Sequence, residues 1–170
     1  VKFAAGEHEK YNAVVDDLGA LQTRGLKVAS ALNTLHPQMP DVAKKVADKS
    51  DIPASVKTQF EALNKEYEAV RKKFGVPLNA APAGGRGGGG GRGGAAADPE
   101  NVLGRVSNLR TQILGIWETP SGALTRQAAE AKLELPKAIS EANAVLTRAA
   151  AMSQTLKKYD IVFTVPPSVK

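Results

Sequence analysis

The chain has 170 residues, 42% of them apolar, with no Cys, two His and a formal net charge of +6. The absence of Cys excludes a disulfide framework, a thiol nucleophile and any Cys-ligated metal site. No apolar run approaches the ~18 residues needed to cross a bilayer. The chain opens without Met or a basic-then-apolar leader, and so reads as a processed product or a piece of a longer protein. The basic surplus is spread evenly over residues 1–75, 76–97 and 98–170. A nucleic-acid footprint would cluster its cations on one face, so the charge reads as mixed, solvated helix surface.

Val1-Lys2-Phe3 alternates like the end of a strand. From about Glu7 the apolar positions Tyr11, Val14, Val15, Leu18, Leu21, Val28, Leu32 and Leu35 follow a three/four spacing, which predicts an amphipathic helix. Gly19 and Gly25 weaken that helix by roughly 1 kcal/mol each relative to Ala and leave room for a close neighbour. Pro37 and Pro40 end it near His36. A short helix is expected over Asp41–Asp48. Pro53 then suits a first turn, and Val56, Phe60, Leu63, Tyr67, Val70 and Phe74 form a heptad seam. Lys72 and Lys73 favour the last turn of that helix, and Gly75 with Pro77 closes it.

Nine of the 16 glycines lie in Gly84–Gly94, which reads GGRGGGGGRGG. Ordering glycine is entropically costly and buries no side chain, so residues 76–97 are expected to form a flexible linker. The run contains G-x-G-x-x-G trivially, but it follows a helix rather than a strand and lacks the GK[ST] of a phosphate loop. With only Arg86 and Arg92 and no interleaved aromatic residue, it is a poor single-strand binder.

Asp98-Pro99-Glu100 reads as a helix start, followed by the stripe Val102, Val106, Leu109, Ile113 and Ile116, with Trp117 beside it. Thr119-Pro120-Ser121-Gly122 breaks it. The last predicted helix spans about Ala123 to Lys158. Its seam runs Leu124, Ala128, Ala131, Leu135, Ala138, Ala142, Val145, Ala149, Met152, Leu156 and Tyr159, in strict alternation of 4 and 3. The seam keeps phase across Pro136, predicting one kinked helix rather than two. Ile161–Val165 alternates like a strand before Pro166-Pro167.

These segments predict an all-α fold: an elongated antiparallel bundle of about four long helices with a Gly-rich linker and short extended ends. The expected division is a first hairpin over 1–75 (1–6 an extended scrap), the linker over 76–97, a second hairpin over 98–160 and an extended tail over 161–170. Phe60, Leu63, Tyr67 and Val70 are expected to face Leu18, Leu21 and Val28.

No constellation of residues promises catalysis. His8 and His36 lie ~42 Å apart along one helix by its rise and read as solvent-facing or capping residues. Asp16-Asp17 and Glu66/Glu68 do not converge on one helix face. There is no Glu-x-x-His of a bundle metal site, no G-x-S-x-G and no H-E-x-x-H. Catalytic, cofactor and metal residues are therefore expected to be none. Ile161, Val162, Phe163 and Val165, with Val1 and Phe3, have little helix left to bury them, and are the candidate contacts for a protein partner.

The segment Asp98-Pro99-Glu100-Asn101-Val102-Leu103, the apolar helix after it, Thr119-Pro120-Ser121 opening a long Ala/Leu-rich helix, and Tyr159-Asp160 before an apolar tail resemble the C-terminal helical segment of bacterial sortilin-like β-propeller proteins. Those are also labelled exo-sialidase-like or glycosyl-hydrolase-like repeat proteins. The resemblance implies an extracytoplasmic (periplasmic or secreted) address and a role in docking or bracing. It carries over no functional residue, since no S-x-D-x-G-x-x-W box occurs. The function expected is a non-enzymatic docking or bracing module of an envelope or secreted assembly. Its partner would be a protein, an upstream β-domain or a subunit of a membrane complex, with no cofactor, nucleic acid or small-molecule substrate. The alternatives are a C-terminal fragment of a propeller-type hydrolase-like protein and weak nucleic-acid binding through the Arg-Gly run.

Overall fold

A computed structural model of the chain describes residues 6–75, 100–116 and 120–169. The expected Val1–Phe3 strand, the linker over 76–97, the Asp98-Pro99 helix start and Trp117 lie outside the described residues. The described chain is all-helical, with helices α1 (Glu7–Leu35), α2 (Met39–Asp48), α3 (Ala54–Lys73), α4 (Val102–Leu114) and α5 (Gly122–Lys157), and a 3-10 turn at His36–Gln38 joining α1 to α2.

The helix ends follow local chemistry. Pro53 is the N-cap of α3 and its carbonyl accepts from the N–H groups of Val56 and Lys57. Asn101, rather than the Asp98 read from the sequence, caps α4, its side-chain oxygen accepting from Gly104 N at 2.7 Å. Ser121 caps α5 by accepting from Leu124 N. The last helix runs unbroken through Pro136. Its far end closes with Asp160 in the left-handed region at φ 57°. There the Asp160 and Ile161 N–H groups return to Lys157 O and Leu156 O, a Schellman closure with an apolar residue just after it.

Side-chain pairs set the helix directions. Glu66 pairs with Arg148 and Lys73 with Glu141, so α3 runs antiparallel to the C-terminal half of α5. Arg105 pairs with Glu134, and Gln112 lies opposite Gln127, so α4 runs antiparallel to the N-terminal half. Tyr11 OH donates to Ile113 O and Gln22 Nε2 to Ser107 Oγ, making α1 antiparallel to α4 and hence parallel to α5. The bundle is thus of mixed direction: α1 and α5 run one way, α3 and α4 the other. At ~1.5 Å per residue, the 36 residues of α5 give it a length of about 54 Å, and α3 and α4 follow one another along it.

This arrangement corrects the expected pairing of hairpins. The chief partner of α3 is α5 rather than α1, while α1, α4 and α5 pack on one another. Buried residues of both sequence halves form one core. Helices α3 and α4 meet end to end: a Cβ on Gly75 (φ 77°) would lie 2.6 Å from Asn101 Nδ2. Gly75, after the end of α3, and Asn101, the N-cap of α4, therefore meet at one junction along α5. The close approach read from Gly25 is present: a Cβ there would lie 2.6 Å from Leu103 Cδ1 of α4.

The tail also departs from expectation. Ile161 and Phe163 are buried at 1% and 4% exposure, inside the bundle's own core, Val165 packs partly against it, and only Val162 stays open at 70%. The alternation predicted from the sequence is present in the burial pattern, but no strand forms among the described residues. The tail turns back along α5: Ser153 Oγ donates to Phe163 O at 2.7 Å, and the Asn143 side-chain amide exchanges two hydrogen bonds with Val169 N and O at 2.8 Å each. Helix side chains supply the hydrogen bonds that a neighbouring strand would have supplied, so the apolar side of the tail needs no partner chain to be covered.

Candidate functional site

Two adjoining clefts line α5 on the side of α3 and α4. One, of about 440 Å³, sits at the α3–α4 junction between Lys72, Lys73, Glu100, Arg105, Lys137 and Glu141. The other, of about 320 Å³, continues between α4 and α5 over Val106, Leu109 and Ala131 to Gln112 and Gln127. Val102, Arg105 and Glu134 belong to both, so the two form one groove. Its floor is apolar and its rim carries both signs of charge.

The rim is held by its own pairs: Lys73 with Glu141, Arg105 with Glu134, and Lys72 with Glu100 at 3.6 Å. Lys137 has no acidic partner within salt-bridge distance among the described residues. Exposed pairs of this kind contribute little to stability, about 0–1 kcal/mol each. Val102, Val106, Leu109 and Ala131 on the floor are each at most 8% exposed. The carboxylates that neutralise the cations make the groove a poor seat for a small anion.

A second cluster, where α3 meets the end of α1, has Arg71 and Tyr67 buried and His36 and Glu68 half-buried. Arg71 is 1% exposed. Its guanidinium lies 5.7 Å from the Tyr67 ring centroid and donates to Glu68 at 3.1 Å, and its Nε has no hydrogen-bond partner. Tyr67 OH donates to Leu32 O in the last turn of α1. Burial raises the Tyr67 phenol well above its ordinary value, so it remains a neutral donor. His36 is the C-cap residue of α1, its backbone N–H donating to Leu32 O, while its side chain turns to α3. Its Nδ1 is shielded from solvent, 3.7 Å from Glu68 Oε1 and without a hydrogen-bond partner. Burial and then the charge of Arg71 hold the imidazole below its usual value, against the opposing pull of Glu68.

Of the residues singled out as partner contacts, Val1 and Phe3 lie outside the described residues. Ile161, Phe163 and Val165 come together, but inward, and Val162 alone faces outward. Among the described residues no group of three His, Asp or Glu side chains could hold a metal ion, and no helix is long and apolar enough to cross a membrane. Sequence reasoning missed Arg71, Glu68 and His36 as a unit and missed the groove. The available signal for the first was spacing: Arg71 lies four residues after the seam residue Tyr67 and three after Glu68, which puts all three on adjoining faces of one helix.

Comparison with protein-family profiles, with curated proteins and with solved structures finds no match to this chain.

Proposed function

We propose that this chain is a non-enzymatic docking and bracing module, receiving an amphipathic segment of a partner protein in the groove along α5. The observation that carries this reading is the groove itself: an apolar floor of Val102, Val106, Leu109 and Ala131 inside a rim of both charge signs, running across the α3–α4 junction. Such a surface suits a helix that lays an apolar stripe on the floor and charged edges on the rim. The bracing part of the reading rests on the shared core, which ties both halves of the sequence to one long helix. The resemblance to the helical tail of sortilin-like propeller proteins supports an extracytoplasmic setting for this role.

The test is site-specific photo-crosslinking in the native host, with the crosslinker at Gln112 or Gln127 on the groove and, as control, at Lys44 on α2. One discrete partner adduct at the groove positions and none at Lys44 is the expected result. Adducts equally abundant at all three positions, or none at the groove, would overturn the reading.

A further inference from the structure

Three weak points of the bundle lie at one level. In α5, Pro136 has no N–H to return to Lys132 O, and its ring presses on that carbonyl. Beside it in α1 is Gly25, where an added Cβ would meet Leu135, the residue before Pro136, at 3.5 Å. A glycine inside a helix costs about 1 kcal/mol relative to Ala. On the remaining side the helical column is interrupted outright, where Gly75 after α3 meets Asn101 before α4.

The arms above and below this level are tied to their own halves of α5. Arg105 of α4 pairs with Glu134, before Pro136, and Lys73 of α3 pairs with Glu141, after it. Helix α3 packs on α5 and α2, and α4 on α5 and α1. The ion pair that crosses the junction, Lys72 with Glu100 at 3.6 Å, joins two exposed side chains, and a pair of that kind resists bending little.

We infer that this level is a hinge: the α3 arm and the α4 arm swing relative to one another about Pro136, and the cleft at their junction widens and narrows with the swing. Pro136 lies on the far side of α5 from that cleft. At ~100° per residue, Glu134 and Glu141, which line the cleft, stand roughly 140–160° around the helix from it. The clash of a proline ring with the carbonyl four residues back opens the helix on the proline's own side, so the two halves of α5 lean toward the cleft. A straighter α5 parts Ala69 and Lys72 on α3 from Val102 and Arg105 on α4, and a more bent one brings them together. Hinges of this kind need only a few residues to absorb the change in backbone angles. Helix α1 runs past the level without a break and keeps the core closed behind it, flexing where Gly25 weakens it. The hinge is a property of the bundle and does not depend on a partner entering the groove.

The test is a distance measurement by pulsed electron paramagnetic resonance on the full chain, which has no Cys of its own. Nitroxide labels on Ala62→Cys in α3 and Asn108→Cys in α4 span the hinge, and labels on Ser55→Cys in α3 and Ala144→Cys in α5 span the α3 arm alone; all four positions are exposed. The expected result is a broader distance distribution across the hinge than within the arm, narrowed by Pro136→Ala, with the span within the arm unchanged. A second readout keeps the test decisive should that variant fold poorly: in the unaltered chain the amides of Lys137–Ile139 should exchange hydrogen faster than those of Val145–Ala149. Equal widths for the two spans, a hinge span that keeps its breadth in Pro136→Ala, or uniform protection from Lys137 to Ala149 would each overturn the hinge.

Discussion

The end of the bundle built from α3, the tail and the C-terminal half of α5 closes a wider apolar face than the end built from α4 and the N-terminal half of α5. Between Ala138 and Leu156, α5 buries its seam and, beside it, Ile139 and Leu146; between Gly122 and Leu135 it buries only Ala128, Ala131 and Leu135. Phe60, Tyr67, Phe74 and Phe163 are buried at the first end, whereas Tyr11 at the second is only partly covered. The difference follows from the number of walls. Where α2, with Met39, Val42 and Val46 buried, and the tail join α1 and α3 around α5, a second stripe of large side chains is enclosed. Where α1 and α4 alone flank α5, α5 buries the single stripe of Ala128, Ala131 and Leu135, and Gly25 lies where α1 meets Leu103.

The contrast is sharpest in the tail, and Phe163→Ala should have the largest effect, roughly 3–5 kcal/mol in chemical denaturation, as for a buried aromatic ring removed from a core. Its neighbour Val162, on the open side, should tolerate Ala within about 0.5 kcal/mol. Equal and small effects at both would mean that the tail does not form a wall. At the narrow end, Gly25→Leu should cost about 1–3 kcal/mol by overpacking the α1–α4 approach, read as a lower midpoint without a change in slope. Asn101→Ala should remove the α4 cap and cost about 1 kcal/mol, visible as faster hydrogen exchange in the first turn of α4 and none in α3.

The smallest effect concerns pH at the wide end. His36 titrates below its ordinary value in the folded chain, so the unfolded chain takes up the proton first. Its contribution to stability is therefore complete above about pH 6.5 and declines as pH falls through that value toward the folded one. Thermal midpoints measured across that window should fall in the unaltered chain, and the His36 part of the fall should vanish in His36→Gln.

Much of this was legible before any coordinates. The seam of α5 could be read residue by residue from Ala128 to Leu156, because a stripe of 3.6 periodicity is a local property of the chain. Continuity through Pro136 could be read for the same reason, since the stripe keeps phase on both sides of it. The second stripe at Ile139 and Leu146 was not legible, because it depends on which further elements cover α5 there, which no local pattern in α5 states. Nor was the pairing of helices: nothing local in Phe60, Leu63 and Tyr67 says whether α1 or α5 will cover them. The inward fate of Ile161 and Phe163 escaped for a related reason. Their alternation marks two faces, but which face turns inward is set by elements beyond the segment: Gln38, 126 residues before Thr164, bonds its backbone, and Asn143, 26 residues before Val169, bonds the backbone there. The cluster of Arg71, Glu68 and His36 required the end of α1 to meet α3, which a helix-by-helix reading does not supply.

The central claim is that both halves of the sequence share one core, with α5 as the spine on which α3 and α4 follow each other. It is tested most directly by expressing the chain as two pieces, divided between residues 76 and 99, and measuring helicity and association before and after mixing. A shared core predicts that each piece alone is weakly helical or aggregates, because α3 has lost the surface of α5 and α4 that of α1. The mixture should then recover full helicity as a one-to-one complex. Two pieces that each fold cooperatively as a hairpin and elute separately when mixed would contradict it.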